Sequence, residues 1–327
     1  MSVLNIALIG SEDFARSLAK KSDSRDIESY VFKEGYGSDA NILSFLRPLK
    51  YPDSIRPLLS VLNVAKAGII EISKLDSSLG EILVSFACSG IKNGIAIINP
   101  EEGNWIDIDE IKIYFSQLNL DWKIYQSMPE IHELRGLLFG MMDNHKSNEE
   151  LLILPIDQHF VVQGIGLVGI GYVQSGQIKK HDTIEVISLE EKGIIRSLQV
   201  MDDDVEIAHS GDRVGLAIRN LREGALHKGC IITHPDSEVM EKHDISSFKL
   251  NKAPFQKKQI KKDDIIHAST DLQFTVGRVS NIEEDNYQVH WESSLWVRSN
   301  QETEVILTQL DAKPMRILGT AKILKSE

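Results

Sequence analysis

The hydrophobic period of this chain changes once, near residue 145, and no other feature constrains its fold as tightly. Ahead of the change, short apolar runs alternate with stretches of helical spacing. Leu4 to Ile9 is an apolar run ending at Gly10, followed by helix-like spacing from Phe14 to Lys21. Ala67 to Ile72, Gly94 to Ile98 and Trp122 to Tyr125 read as further strands, with helical spacing over Leu79–Ser89 and Ile106–Leu118. Such alternation predicts a parallel sheet covered by helices. Behind the change, Leu151 to Thr233 shows short strands with glycine-rich turns and no helical pattern, the signature of a small barrel. The polar run Met142 to Glu150 reads as a linker, and a second break at His234-Pro235-Asp236-Ser237 precedes another β-rich stretch, Ser246 to Leu324. The expected fold class is multi-domain, α/β plus β: an α/β domain over 1–145, then β-barrels over 150–237 and 244–327.

Composition narrows the function classes. With 42% hydrophobic and 26% charged residues, the 327-residue chain has a globular composition. No apolar run approaches a membrane span, and Met1 to Gly10 lacks a basic secretory n-region, so a cytoplasmic protein without a membrane partner is expected. Cys88 and Cys230 lie in separate apolar stretches and are expected as two buried thiols rather than a disulfide. No Cys-x-x-Cys or clustered Cys/His spacing points to zinc, and the ten histidines are scattered singly. A net charge of −12 argues against bulk electrostatic wrapping of nucleic acid, DNA included. From Glu241 onward, basic and acidic residues balance at 13 each, so the acidic excess lies in residues 1–240. A local RNA contact through the last third stays open.

Residues 155–233 carry the most specific pattern. Pro155 to Gly166 reads PIDQHFVVQGIG and runs into Val168-Gly169-Ile170-Gly171-Tyr172-Val173-Gln174-Ser175-Gly176-Gln177-Ile178-Lys179-Lys180-His181-Asp182. Further blocks follow at Ile195-Arg196-Ser197-Leu198-Gln199 and at Ala208 to Ala217. In this order the blocks resemble the second domain of elongation factor Tu and elongation factor 1-alpha. The glycines suit bulges and tight turns of barrel strands. Phe248-Lys249-Leu250, the lysine-rich Gln256 to Asp264, Phe274 to Val279 and Arg316 to Ile323 resemble the third domain of the same family more loosely. The selenocysteine-specific elongation factor and the gamma subunit of initiation factor 2 share the second-domain pattern, so the nearest relative stays open. Gly164-x-Gly166-x-x-Gly169 matches a dinucleotide fingerprint only on paper, because no helix pattern follows it.

The resemblance implies a GTPase domain over the first 140 residues, and there the motifs fail. A phosphate loop needs a glycine-rich turn, a lysine on the phosphates and a Ser/Thr hydroxyl on magnesium. The matching segment is Gly10-Ser11-Glu12-Asp13-Phe14-Ala15-Arg16-Ser17. Gly10 and Ser17 keep their types, but the second glycine is Ala15 and the lysine is Arg16, whose planar fork does not replace a compact ammonium. Where an Asp-x-x-Gly is implied stands Tyr51-Pro52-Asp53-Ser54, without the glycine. The guanine-reading Asn-Lys-x-Asp is reduced to Asn99-Pro100-Glu101-Glu102, which keeps Asn99 alone. No switch threonine is recognisable between Ser22 and Lys50. The expectation is a degenerate GTPase domain, with no catalytic residue, no metal and no cofactor. GTP and magnesium enter only on an alternative reading in which Gly10, Arg16, Ser17 and Asn99 still hold nucleotide.

In that family the second domain contacts the ribosome or the aminoacyl end of tRNA, and the third contacts the tRNA stem. The resemblance therefore implies tRNA or the ribosome as partner, with other translation factors as further candidates. Candidate RNA-binding residues are Arg213, Arg219 and Arg222 in the second domain and Lys257, Lys258, Lys261 and Lys262 in the third. The bland alternative for the lysines is a solvated loop. Trp105, Trp122, Trp291 and Trp296 show no stacking-platform spacing, and no Ser/His/Asp or Cys/His constellation supports a hydrolase. Three readings follow: a translation elongation factor-like protein acting without GTP hydrolysis, a divergent GTPase, and a non-translational interaction scaffold.

Overall fold

The computed structural model describes residues 2–37, 40–142, 151–299 and 304–323. The expected linker lies almost wholly outside them. Two compact units emerge: Met1–Asn144 with Asn251–Gln259 and Ile306–Thr320, and His145–Leu250 with Ile260–Val305 and Ala321–Glu327.

The first unit holds a seven-stranded sheet. Its strands are β1 (Ser2–Ile9), β2 (Lys20–Ser24), β3 (Ile27–Glu34), β4 (Asn41–Pro48), β5 (Ala67–Ile72), β6 (Asn93–Ile98) and β7 (Lys123–Tyr125), in the order β2-β3-β4-β1-β5-β6-β7. From β4 to β7 all neighbours run parallel, as the strand–helix alternation predicts. The β2–β3 and β3–β4 pairs are antiparallel, so the sheet is mixed rather than parallel. The physical reason is local. Lys20 to Pro48 contains no helical run to carry a crossover, so the chain turns straight back. The helices are α1 (Glu12–Leu18), α2 (Arg56–Val64), α3 (Ser77–Ser89), α4 (Ile108–Gln117) and α5 (Ile131–Phe139). Leu4, Ile6, Leu8, Phe45, Ile69, Ile95 and Ile97 bury against Phe14, Leu18, Leu134 and Leu138.

On β5 and β6 the residues Gly68 and Gly94 are paired in register, and Trp122 lies over both. A Cβ on either would come within 2.2 or 2.3 Å of the indole. Phe86 meets the same indole edge-on at 4.8 Å, so the two glycines make room for an aromatic cluster.

The first barrel is built from β8 (Leu154–Val162), β9 (Gly166–Tyr172), β11 (Thr183–Val186), β12 (Glu191–Val200), β15 (Arg213–Arg219) and β16 (Ile231–Thr233), in the order β11-β16-β8-β9-β15-β12. Pairing of β11 with β12 closes it, which removes both sheet edges. Short strands β10 (Gln177–Lys179) and β14 (Ile207–His209) form a ribbon, and β13 (Asp203–Asp204) extends β12. Gly171 sits where a Cβ would meet the Pro155 carbonyl oxygen at 2.4 Å, beside the bulge between Ile156 and Gln158. The second barrel closes in the order β17 (Met240–Lys252), β20 (Asn286–Arg298), β19 (Gln273–Glu283), β18 (Ile265–Thr270), β21 (Glu304–Thr308) and β22 (Ile317–Lys322). No described helix is long and apolar enough to cross a membrane.

Candidate functional site

The connection from β1 to α1 is where a phosphate loop would have to be, and it is two residues long: Gly10 and Ser11. Ser11 caps α1 by accepting from the Phe14 N–H at 3.1 Å, and Glu12 and Asp13 fill the first turn. Helix therefore begins where the family pattern requires open loop. Arg16 and Ser17 fall in the body of α1 rather than at its start. The Ser17 hydroxyl donates back to the Phe14 carbonyl at 2.7 Å, and Arg16 donates to the Glu12 carboxylate at 2.6 and 3.0 Å. That hydrogen bond and charge hold the Glu12 carboxyl below its usual range.

Glu71, near the end of β5, occupies the turn itself. Its carboxylate accepts from the Ser11 N–H at 2.7 Å and from the Asn99 side-chain amide at 2.8 Å. A Cβ on Gly10 would lie 3.0 Å from this carboxylate. Of the four residues matched to nucleotide binding, the structure thus brings Gly10 and Asn99 to one carboxylate and leaves Arg16 and Ser17 in a helix. An acidic residue inside the apolar strand Ala67 to Ile72 was the signal that could have found Glu71.

A second polar cluster braces the same turn. Arg47 donates to the Gly10 carbonyl at 2.9 Å and to the buried Glu28 at 2.7 Å. Lys21 and Tyr30 also donate to Glu28. Burial alone would raise the Glu28 carboxyl, but hydrogen bonds from Lys21, Arg47 and Tyr30 outweigh it and hold the group at about 2. Among the described residues, no group of three or more His, Cys, Asp or Glu side chains is placed to hold a metal ion.

The candidate RNA-binding residues scatter. Arg219 and Arg222 are exposed at one end of the first barrel, and Arg213 is half-buried at the other end of β15. Arg222 donates to Glu191 at 2.6 Å. Arg196 sits at a bulge of β12 and donates to the Gly164 and Ile165 carbonyls, fixing the β8–β9 turn beside Arg219. Phe160, Val161 and Ile165 of that hairpin are exposed. Lys257, Lys261 and Lys262 are exposed and Lys258 half-buried, between β17 and β18. Neither cysteine is in a disulfide. Cys230 is buried, and burial pushes its thiol up to about 11. Cys88 is half-buried, against the expectation of two buried thiols, because it falls on the last turn of α3.

An α/β domain followed by two closed β-barrels is the architecture of the translation elongation factors of the elongation factor Tu family, and this chain has that fold. Residues 166–233 match the family model of elongation factor Tu domain 2, which places the first barrel in that family. The whole chain superposes on the bacterial selenocysteine-specific elongation factor EF-Sec with a TM-score of 0.80 at 19% identity, covering 100% of this chain and 59% of that one. It superposes on elongation factor SelB of Methanococcus maripaludis in complex with the GTP analogue GPPNHP with a TM-score of 0.79 at 17% identity, covering 80% of that chain. In sequence it is 24% identical to the selenocysteine-specific elongation factor of Methanocaldococcus jannaschii over 93% of this chain and 72% of that protein. An uncharacterized protein of the same organism is 27% identical over 99% of this chain and all of its own length.

Proposed function

We propose that this chain is a translation elongation factor-like protein that binds tRNA or the ribosome without hydrolysing GTP. The observation that carries the reading is the β1–α1 turn. A phosphate loop works by offering several free backbone N–H groups around an anion. Here only Gly10 and Ser11 precede the helix, and the Ser11 N–H is taken by Glu71 at 2.7 Å. A nucleotide phosphate would have to displace one carboxylate and approach another, Glu12, and Arg16, which stands where the family has lysine, is itself held by Glu12. The loss of Asp-x-x-Gly and of all but Asn99 in the guanine motif supports the same conclusion. The similarity to selenocysteine-specific elongation factors over nearly the whole chain supports an RNA or ribosome partner. Within the first barrel, Arg196, Arg219 and Arg222 beside the exposed β8–β9 hairpin are the groups we assign to it, with the lysines of 257–262 as a second contact. A cytoplasmic location belongs to the same proposal.

Titration of nucleotide-stripped protein with a fluorescent GTP analogue and with GDP, with and without magnesium, tests the reading. Absence of binding up to millimolar ligand is expected, and micromolar, magnesium-dependent binding would overturn it. Binding to bulk tRNA and to ribosomes, followed as salt rises, tests the partner. Affinity should fall with a log–log slope that loses about one unit per phosphate-contacting arginine removed.

A further inference from the structure

In GTPases the segments that follow the phosphate loop are ordered by the γ-phosphate and released on hydrolysis. In this chain the stretch standing where an Asp-x-x-Gly is implied, Tyr51 to Ser54, is tied down through Tyr51 by protein groups. The single Tyr51 hydroxyl proton is shared between the Ser78 carbonyl at 2.9 Å and the Glu81 carboxylate at 3.1 Å, both on α3. Glu81 is buried, and its other bonds come from Arg316. The Arg316 backbone N–H donates to Oε1 at 2.7 Å, Nε bridges both carboxylate oxygens at 3.1 and 3.2 Å, and Nη2 donates to Oε2. The Arg316 guanidinium also lies 5.7 Å from the centre of the Tyr51 ring. Met315, next to it, is buried, and Gln256 bonds the carbonyls of Met315 and Ile317. All of these residues belong to the first compact unit.

We propose that Tyr51, Glu81 and Arg316 form a latch that keeps residues 306–320 seated on α3 whether or not nucleotide is present. The latch replaces a ligand-operated contact by a bidentate ion pair with a backbone amide and a phenol hydroxyl added. Each component is internal to the chain, so the latch forms without a ligand. The inference deepens the proposed function, because a protein that does not read nucleotide needs another reason for this segment to stay in place.

Hydrogen exchange of the full chain reads the latch directly, since the Arg316 amide is itself one of the bonds to Glu81. Tyr51→Phe, which keeps the ring, should speed exchange of amides in 309–317 and 77–82 about 5-fold, the loss of one net hydrogen bond. Arg316→Met leaves Glu81 buried and unpaired and should speed it by about 100-fold or more. Amides of the first barrel should not change in Tyr51→Phe. Unchanged exchange of 309–317 in Tyr51→Phe, or acceleration spread evenly over the chain, would overturn the latch even if Arg316→Met fails to fold. In the parent protein, saturating GTP and magnesium should leave exchange of 309–317 as it was. Nucleotide that binds and leaves this segment protected would sink the pseudo-GTPase reading but support the latch. Nucleotide that binds and releases the segment would sink both.

Discussion

The β8–β9 region of the first barrel and the β1–α1 turn of the α/β domain both align with patterns of the elongation factor Tu family, yet only the first matches them closely. Gly171 is held by the barrel itself: the Pro155 carbonyl leaves no space for a Cβ, whatever the protein binds. The residues of a phosphate loop are held chiefly by phosphate and magnesium. Here Ala15 and Arg16 are ordinary helix positions, and an internal carboxylate takes the turn's N–H. A glycine facing backbone is held by the fold itself, whereas a residue of a phosphate loop has a ligand as its partner.

The sharpest way to break that contrast is Gly171→Val. Its backbone neighbour cannot yield, so unfolding in urea, followed by circular dichroism, should show a loss of at least about 3 kcal/mol. A cost below that would mean the barrel relaxes more than its closure allows. Glu28→Gln comes next, at about 2 kcal/mol for hydrogen bonds made by charged groups. Because the folded carboxyl is depressed to about 2, the parent has this stability above about pH 4.5 and loses it as the pH falls toward 2. The variant should lose less stability across that window than the parent, and an unchanged acid transition would show that Glu28 is not its source.

Gly10→Ala should cost less, about 1–2 kcal/mol, since a Cβ there meets side-chain atoms of Phe14 and Glu71 at 2.9–3.0 Å rather than a backbone carbonyl at 2.4 Å. Equal losses at Gly10 and Gly171 would erase the distinction between the two regions. Returning the sequence toward the phosphate-loop pattern with Ala15→Gly and Arg16→Lys should produce no GTP binding in the fluorescence titration, because both positions lie in the body of α1. Micromolar binding would show that the helix start gives way to a loop. Glu12→Gln should leave the melting temperature unchanged, as its pairs with Arg16 and Lys21 are on the surface.

Much of the fold was readable from the residues. Apolar runs four to eight residues long, ending at Gly10 or interrupted by helical spacing, mark β1, β5, β6 and β7 of the parallel part of the sheet, because the period of a strand or helix is a local property. Glycine-rich turns and the family blocks likewise fix the first barrel. The strands β2, β3 and β4 and the helix α5 were not legible in the residues alone. A strand with Lys20, Lys21, Asp23 and Ser24 carries no apolar period, and its pairing depends on β3 rather than on itself.

The sequence by itself determined which residues of the nucleotide motifs are replaced, since the absence of a lysine or glycine is visible without coordinates. Only the tertiary structure decided what stands in their place. Glu71, Asn99 and Ser11 come together from three separate strand ends, and Tyr51, Glu81 and Arg316 meet across 235 and 30 positions of sequence. Contacts of that kind leave no period to read, because an ion pair needs only two ends brought within hydrogen-bond reach, and the path between them is set by the packing of every element they cross.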